Sequence, residues 1–220
     1  MGRLLLVRHG ESLWNEAAIV QGQAGPGLSA LGHRQASHVG AWLAVEAPSA
    51  ALASSDLVRC RETCAPYAVA VGREPSLDEA LRERHFGSWQ GVSRAEIMAR
   101  DPELWQFFKA RKDVIADAGG ESTPTLVDRV VPALRRWAAA ARETVVFTHG
   151  GPVWHGVQAL LGVDEGTLGP VANAGVTVLD LDSEAAGGGA TLVAWNMVGH
   201  LPPDVRTSWP TAAITGDGIT

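Results

Sequence analysis

Four short segments carry residues suited to reaction chemistry. Arg8-His9-Gly10-Glu11-Ser12, with Trp14-Asn15 close behind, directly follows an apolar run at 4–7. Thr148-His149-Gly150-Gly151 ends and follows a second run, at 144–148. Ser54-Ser55-Asp56-Leu57-Val58-Arg59 closes a third, made of small residues. An imidazole serves as nucleophile or proton carrier near neutral pH, and Arg8 and Arg59 can each offer a planar guanidinium fork to a phosphate. The fourth segment, Arg82-Glu83-Arg84-His85-Phe86-Gly87-Ser88-Trp89, sets a carboxylate among arginines. Glu83 is a candidate general acid, a role that needs its carboxyl kept protonated by burial or by a neighbouring anion. A plain salt bridge from Glu83 to Arg82 or Arg84 fits the spacing equally well, and Arg61 reads as a solvated helix position.

The elements that position these residues follow from hydropathy. A run without polar alternation, such as 4–7, suits a strand buried on both faces. Further strands are expected at 50–54, 144–148, 176–181 and 191–195, with an edge strand at 74–77. Ser29 caps a helix over 30–45, and 59–71 reads as a helix that Pro66 should kink or end. Ser93 to Glu96 is a capping box, Asp101-Pro102 and Thr123-Pro124 open two more helices, and Gly162 closes a helix over 152–161. Residues 10–27 read as a long loop. Strands alternating with helices give an α/β domain with helices on both faces of a mainly parallel sheet. Ligands bind at the carboxyl ends of such strands, which is where Arg8, His9, Arg59 and His149 fall. No linker divides residues 1–220, so one domain is expected, with a helical, lid-like insertion at about 92–121 and an aperiodic tail at 202–220.

Composition narrows the classes. Lys plus Arg number 18 against 24 Asp plus Glu, a net charge of −6, which lacks the basic signature of a nucleic-acid or anionic-membrane binder. No apolar stretch approaches the roughly 18 residues of a membrane span. The start of the chain shows no apolar leader with a small-residue cleavage site, so a cytoplasmic location is expected. The two cysteines, Cys60 and Cys64, are too few for a disulfide framework or a zinc site of their own and read as small core residues.

Taken together, Arg8-His9-Gly10-Glu11, Asn15, Arg59, Glu83 and His149-Gly150 resemble, in order and spacing, the histidine phosphatase (phosphoglycerate mutase-like) superfamily. Leu28 to Gly32 with Gln35, Gly120-Glu121-Ser122 with Arg129, and Asn173 fit the same pattern, so the likeness runs from Leu4 to about Leu201. The resemblance implies a three-layer α/β/α sandwich and a reaction without metal or cofactor. It implies His9 as the nucleophile that becomes a phosphohistidine. Arg8, Asn15, Arg59 and His149 would hold the phosphoryl oxygens, and Glu83 would be the proton donor, with His149 counted among the catalytic groups. Gln21, Arg84, Arg94 and Gly150 are substrate-binding candidates, Arg84 and Arg94 because the mutases of the family hold a carboxylate at such positions. The partner implied is a small phosphorylated metabolite, and the family admits a homodimer.

The family divides. Gly151-Pro152 after the second His-Gly, and an insertion without a proline-rich extension over 109–120, favour a phosphatase, whereas Glu83 to Phe86 is similar to the cofactor-dependent phosphoglycerate mutases. That mutase is the alternative reading, along with a non-catalytic binding module on the same fold. A zinc hydrolase using His9, His149 and His85 or His155 is disfavoured by the lack of a short-spaced ligand pair. The loop at 21–27 lacks the acidic residue many relatives carry, which bears on how that loop is anchored.

Overall fold

The computed structural model describes residues 1–110, 112–183, 185 and 187–207. Six strands form one sheet in the order β3-β2-β4-β1-β5-β6: β1 (Gly2–Arg8), β2 (Ala51–Ser54), β3 (Ser76–Leu77), β4 (Glu143–Thr148), β5 (Val176–Leu181) and β6 (Ala190–Met197). The pairings β1–β4, β2–β4 and β2–β3 are parallel, and β5 runs antiparallel to both β1 and β6. Successive side chains on a strand point to opposite faces. Leu4 and Leu6 therefore join the core under α6 (Thr123–Ala140) and α7 (Gly150–Leu161). Leu5 and Val7 join the core under α2 (Ala30–Glu46) and α3 (Val58–Val71). Cover on both faces explains the uninterrupted apolar run, and the result is a mixed α/β sandwich of three layers.

The expected elements are present with three local corrections. The loop at 10–27 contains a one-turn helix, α1 (Leu13–Glu16), closed by a capping box between Ser12 and Asn15. Pro66 neither ends nor breaks α3, which runs through it. Gly40 of α2 lies so close to Pro66 and Tyr67 that an added Cβ would stand 2.9 Å from each, so α2 packs directly against α3 at its proline. The cap of α6 is Ser122 rather than Thr123, since the Ser122 hydroxyl receives the Thr125 amide at 3.2 Å.

Residues 92–121 carry α4 (Arg94–Arg100) and α5 (Pro102–Lys109), gathered on a small separate core of Trp89, Ile97 and Ile115. The expected capping box is formed, with Ser93 and Glu96 exchanging hydrogen bonds, and it sets Arg94 at the first position of α4. Of the tail, residues 202–207 dock on α2 through Gln35 and the Arg34–Asp204 ion pair, and 208–220 lie outside the described residues. No helix among the described residues is long and apolar enough to cross a membrane.

Candidate active site

The register of the two central strands brings the histidines together. Arg8 pairs with Thr148, and the His9 amide extends the ladder to the Thr148 carbonyl at 2.9 Å. The His9 and His149 rings therefore stand 5.2 Å apart, edge to face. Gly10 then turns the chain away beneath Gly32, whose carbonyl would be 2.7 Å from a Cβ at that position. Arg59 enters from the first turn of α3. Arg8, His9, Arg59 and His149 are 3%, 2%, 1% and 0% exposed.

The His9 tautomer is fixed by its neighbours. Nδ1 lies 2.6 Å from the Gly10 carbonyl, which can only accept, so Nδ1 carries the proton. Nε2 is left as a lone pair and receives Arg59 Nε–H at 3.3 Å. Burial and the charges of Arg59 and Arg8 lower the His9 pKa well below the usual imidazole value. Burial, then Arg59, His9 and Arg8, do the same to His149. Both rings are neutral at physiological pH. Burial lowers Arg8 to about 10, which leaves it charged, and its Nη1 donates to the Val171 carbonyl at 2.5 Å.

Arg59 also answers the question of the loop at 21–27. Its Nη2 and Nη1 donate to the carbonyls of Gly22 (2.6 Å) and Ala24 (3.0 Å), while the Glu62 carboxylate receives the Leu28 amide at 2.7 Å. The anchoring comes from α3, and from Gln90 and the Glu83 carbonyl, which hold Gln23 at 2.8 and 3.1 Å, rather than from an acid in the loop itself. Within that loop Gln21 accepts from Ser12 Oγ at 2.8 Å, and Asn15 Oδ1 accepts from the Ser12 amide and from Asn173 Nδ2, which also donates to the His9 carbonyl at 3.1 Å.

Glu83 forms no salt bridge with Arg82 or Arg84. Arg82 pairs with Asp56 and Glu79, and Arg84 with Asp113. The Glu83 carboxylate instead accepts the backbone amides of Arg84 (2.8 Å) and Gly151 (3.1 Å). Its main chain is clamped by Arg129, whose Nη2 donates to the Glu83 carbonyl at 2.9 Å while Nε and Nη2 grip Glu121 at 2.6 and 2.7 Å.

A cavity of about 110 Å³ opens over this floor. Arg8, His9, Asn15, Gln21, Arg59, Glu83, Arg84, Arg94 and Gly150 all line it, together with Trp14, Phe86, Trp105 and Phe108. The sequence-derived site residues thus converge on one cavity, save that His149 lies beneath its surface. Arg84 and Arg94 differ in kind. Arg84 is spent on Asp113 and on the Glu121 carbonyl at 2.6 Å. The Arg94 guanidinium has no hydrogen-bond or ion-pair partner among the described residues, and burial alone lowers its pKa. Three contacts escaped the sequence reading: the Gly151 amide on Glu83, Ser55 Oγ at 2.9 Å from Nε2 of His149, and Asp113 on Arg84. Among the described residues no group of three or more His, Cys, Asp or Glu is arranged to hold a metal ion.

The model of the histidine phosphatase superfamily (branch 1) matches residues 4–198. The chain belongs to that superfamily. A metal-independent phosphoserine phosphatase of Arabidopsis thaliana is 33% identical over 202 residues, covering 90% of this chain and 82% of the relative. A glucosyl-3-phosphoglycerate phosphatase of Mycolicibacterium vanbaalenii is 34% identical over 179 residues, covering 73% and 75%. A mycobacterial glucosyl-3-phosphoglycerate phosphatase solved in complex with VO3 superposes with a TM-score of 0.80 at 30% identity, over 89% of this chain and 99% of that one. Within the histidine phosphatase superfamily this chain is a phosphoric monoester hydrolase.

Proposed function

We propose that the protein hydrolyses a small phosphate ester whose alcohol half carries a second anionic group, through a phosphohistidine on Nε2 of His9. The observation that carries this reading is the His9 tautomer: a neutral ring with Nδ1–H tied to the Gly10 carbonyl and a lone pair on Nε2, facing the Arg59 fork. Nε2 attacks phosphorus as the ester P–O bond breaks. Arg8, Arg59, Asn15 and His149 take up the charge on the phosphoryl oxygens, which in a dry, fixed site is worth far more than in water. Glu83 gives its proton to the departing alkoxide. It then takes a proton from the water that attacks the phosphohistidine, and inorganic phosphate and free His9 are restored. The first step uses Glu83 in its protonated form.

Arg94 supports the second anion. A half-buried guanidinium without a counter-ion is an unfilled site for a carboxylate or similar group, and charge-assisted pairs are the strong ones. Phosphoserine and glucosyl-3-phosphoglycerate, named for two of the relatives, are both carboxylate-bearing phosphate esters. Arg84, already paired with Asp113, acts by shaping the wall. Two free, buried cysteines support the cytoplasm as compartment.

Phosphate release from a panel of phosphorylated metabolites in EDTA, with His9→Ala as control, tests the reading. The expected result is release that EDTA leaves intact and that His9→Ala lowers by roughly 10⁴-fold or more, the usual cost of removing a nucleophile. Isomerisation of 3-phosphoglycerate without release of phosphate, or full activity in folded His9→Ala, contradicts it.

A further inference from the structure

Ser55 follows β2 and is fully buried, with its hydroxyl 2.9 Å from Nε2 of His149. That hydroxyl has one proton to place. The Leu57 amide already donates to Oγ, at 3.4 Å, so the oxygen serves as acceptor there and its proton must go elsewhere. Two acceptors are within reach: Nε2 of His149, and the sulfur of Cys60, whose own thiol donates to the Thr148 carbonyl at 3.2 Å. An imidazole lone pair accepts far better than a thiol sulfur. In the reverse arrangement, with His149 donating from Nε2, the hydroxyl proton would be left with the sulfur alone.

We propose that Ser55 is a positioning residue which donates to Nε2 of His149 and so holds that ring as the Nδ1–H tautomer, a neutral donor to an oxygen of the transferring phosphoryl group. What His149 donates to rests on the phosphohistidine reading above; its tautomer does not. Among the described residues Nδ1 has only the weak acceptor Cys60 Sγ, 3.8 Å away, and that sulfur stands nearer to Nε2, at 3.3 Å, so no strong acceptor holds the Nδ1 proton beneath the cavity floor. The other tautomer would meet a phosphoryl oxygen with a lone pair and repel it. The ring is held neutral by its burial and by Arg59 and Arg8, so the donor comes from the tautomer and not from protonation. The two floor histidines then form a complementary pair: the same Nδ1–H state leaves His9 a nucleophile at Nε2 and makes His149 a donor at Nδ1.

Long-range ¹H–¹⁵N spectra of the full chain labelled at its seven histidines test this directly, with His149 assigned through a His149→Asn sample. The wild type is expected to show a protonated Nδ1 and an unprotonated Nε2 at pH 7. Ser55→Ala is expected to shift the ring toward Nε2–H and to lower kcat by roughly tenfold to a hundredfold, the scale of losing one aligned donor, with a smaller rise in KM. Ser55→Thr, which keeps the hydroxyl, should recover most of kcat and the wild-type tautomer. An Nε2–H ring in the wild type overturns the proposal even if Ser55→Ala does not fold, and so does an unchanged Nδ1–H ring in folded Ser55→Ala. A wild type that hydrolyses no phosphate ester while His149 is Nδ1–H removes the phosphohistidine reading and leaves the Ser55 assignment standing.

Discussion

At the strand ends, Arg8, His9, Arg59 and His149 sit under the sheet's own packing, each with a hydrogen-bonding partner fixed by backbone or by a buried side chain. Across the cavity, residues 92–121 present Trp105 and Phe108, partly exposed, with Lys112 resting over the Phe107 ring at 4.5 Å. Their core is three fully buried side chains, Trp89, Ile97 and Ile115. The first region derives its geometry from the register of β1, β2 and β4, the second from a small aromatic cluster. In the function proposed above, the chemistry belongs to the floor and substrate choice to the overhang, since groups that must hold tenths of an ångström belong on rigid elements and groups that select a leaving group do not.

Four measurements can break or sharpen that division. Glu83→Gln should lower kcat on alkyl phosphates by roughly 10²–10³-fold and on an aryl phosphate by about tenfold or less, because only the poor leaving group needs the proton; equal losses on both would take the acid role from Glu83. Gly151→Ala should lower kcat by roughly tenfold to a hundredfold, since a Cβ there would overlap Oε1 of Glu83 and displace the acid. An unchanged rate in that variant would show that the Glu83 position is not set by the floor. Arg94→Ala should raise KM about tenfold for a carboxylate-bearing substrate, and less for an aryl phosphate lacking a second anion, with kcat changing less than KM. A fall in kcat alone would move Arg94 from selection to chemistry.

The smallest effect concerns pH. His9 and His149 titrate well below the unfolded imidazole value and His155 near 4, so between those values and 6.5 the unfolded chain binds more protons than the folded one. Stability is therefore full above pH 6.5 and is lost as pH falls. For His155, largely desolvated and near the Arg84 charge, with the Glu165 carboxylate 3.6 Å from its Nδ1, the loss reaches about 3 kcal/mol only below pH 4. Tm measured from pH 7 to pH 5 should decline, less steeply in His155→Gln; a Tm that rises on acidification would contradict the sign.

The same contrast governs what the sequence discloses. Strands β1, β4 and β5 are legible because burial on both faces writes a continuous apolar run, and the residues just beyond β1, β2 and β4 are legible because strand ends are where ligands bind. Helix α1 is not, since one turn closed by Ser12 and Asn15 has no period to detect. The cap of α6 is misplaced by one residue because Ser122 and Thr123 are equally good caps in isolation. Ser55 and His149 meet across 94 residues of chain, Arg84 and Asp113 across 29, and the Gly151 contact is made by a backbone amide that every residue but proline possesses. Such pairings are products of the folded register, and residue type at one position carries no trace of them.

The most direct test of the account is to trap the covalent intermediate. A labelled phosphate ester mixed with the protein in EDTA, quenched in alkali within milliseconds and mapped by mass spectrometry, should place the phosphoryl group on His9 and leave His9→Ala unlabelled. Phosphate on another residue, or hydrolysis at the wild-type rate in the unlabelled variant, would contradict it.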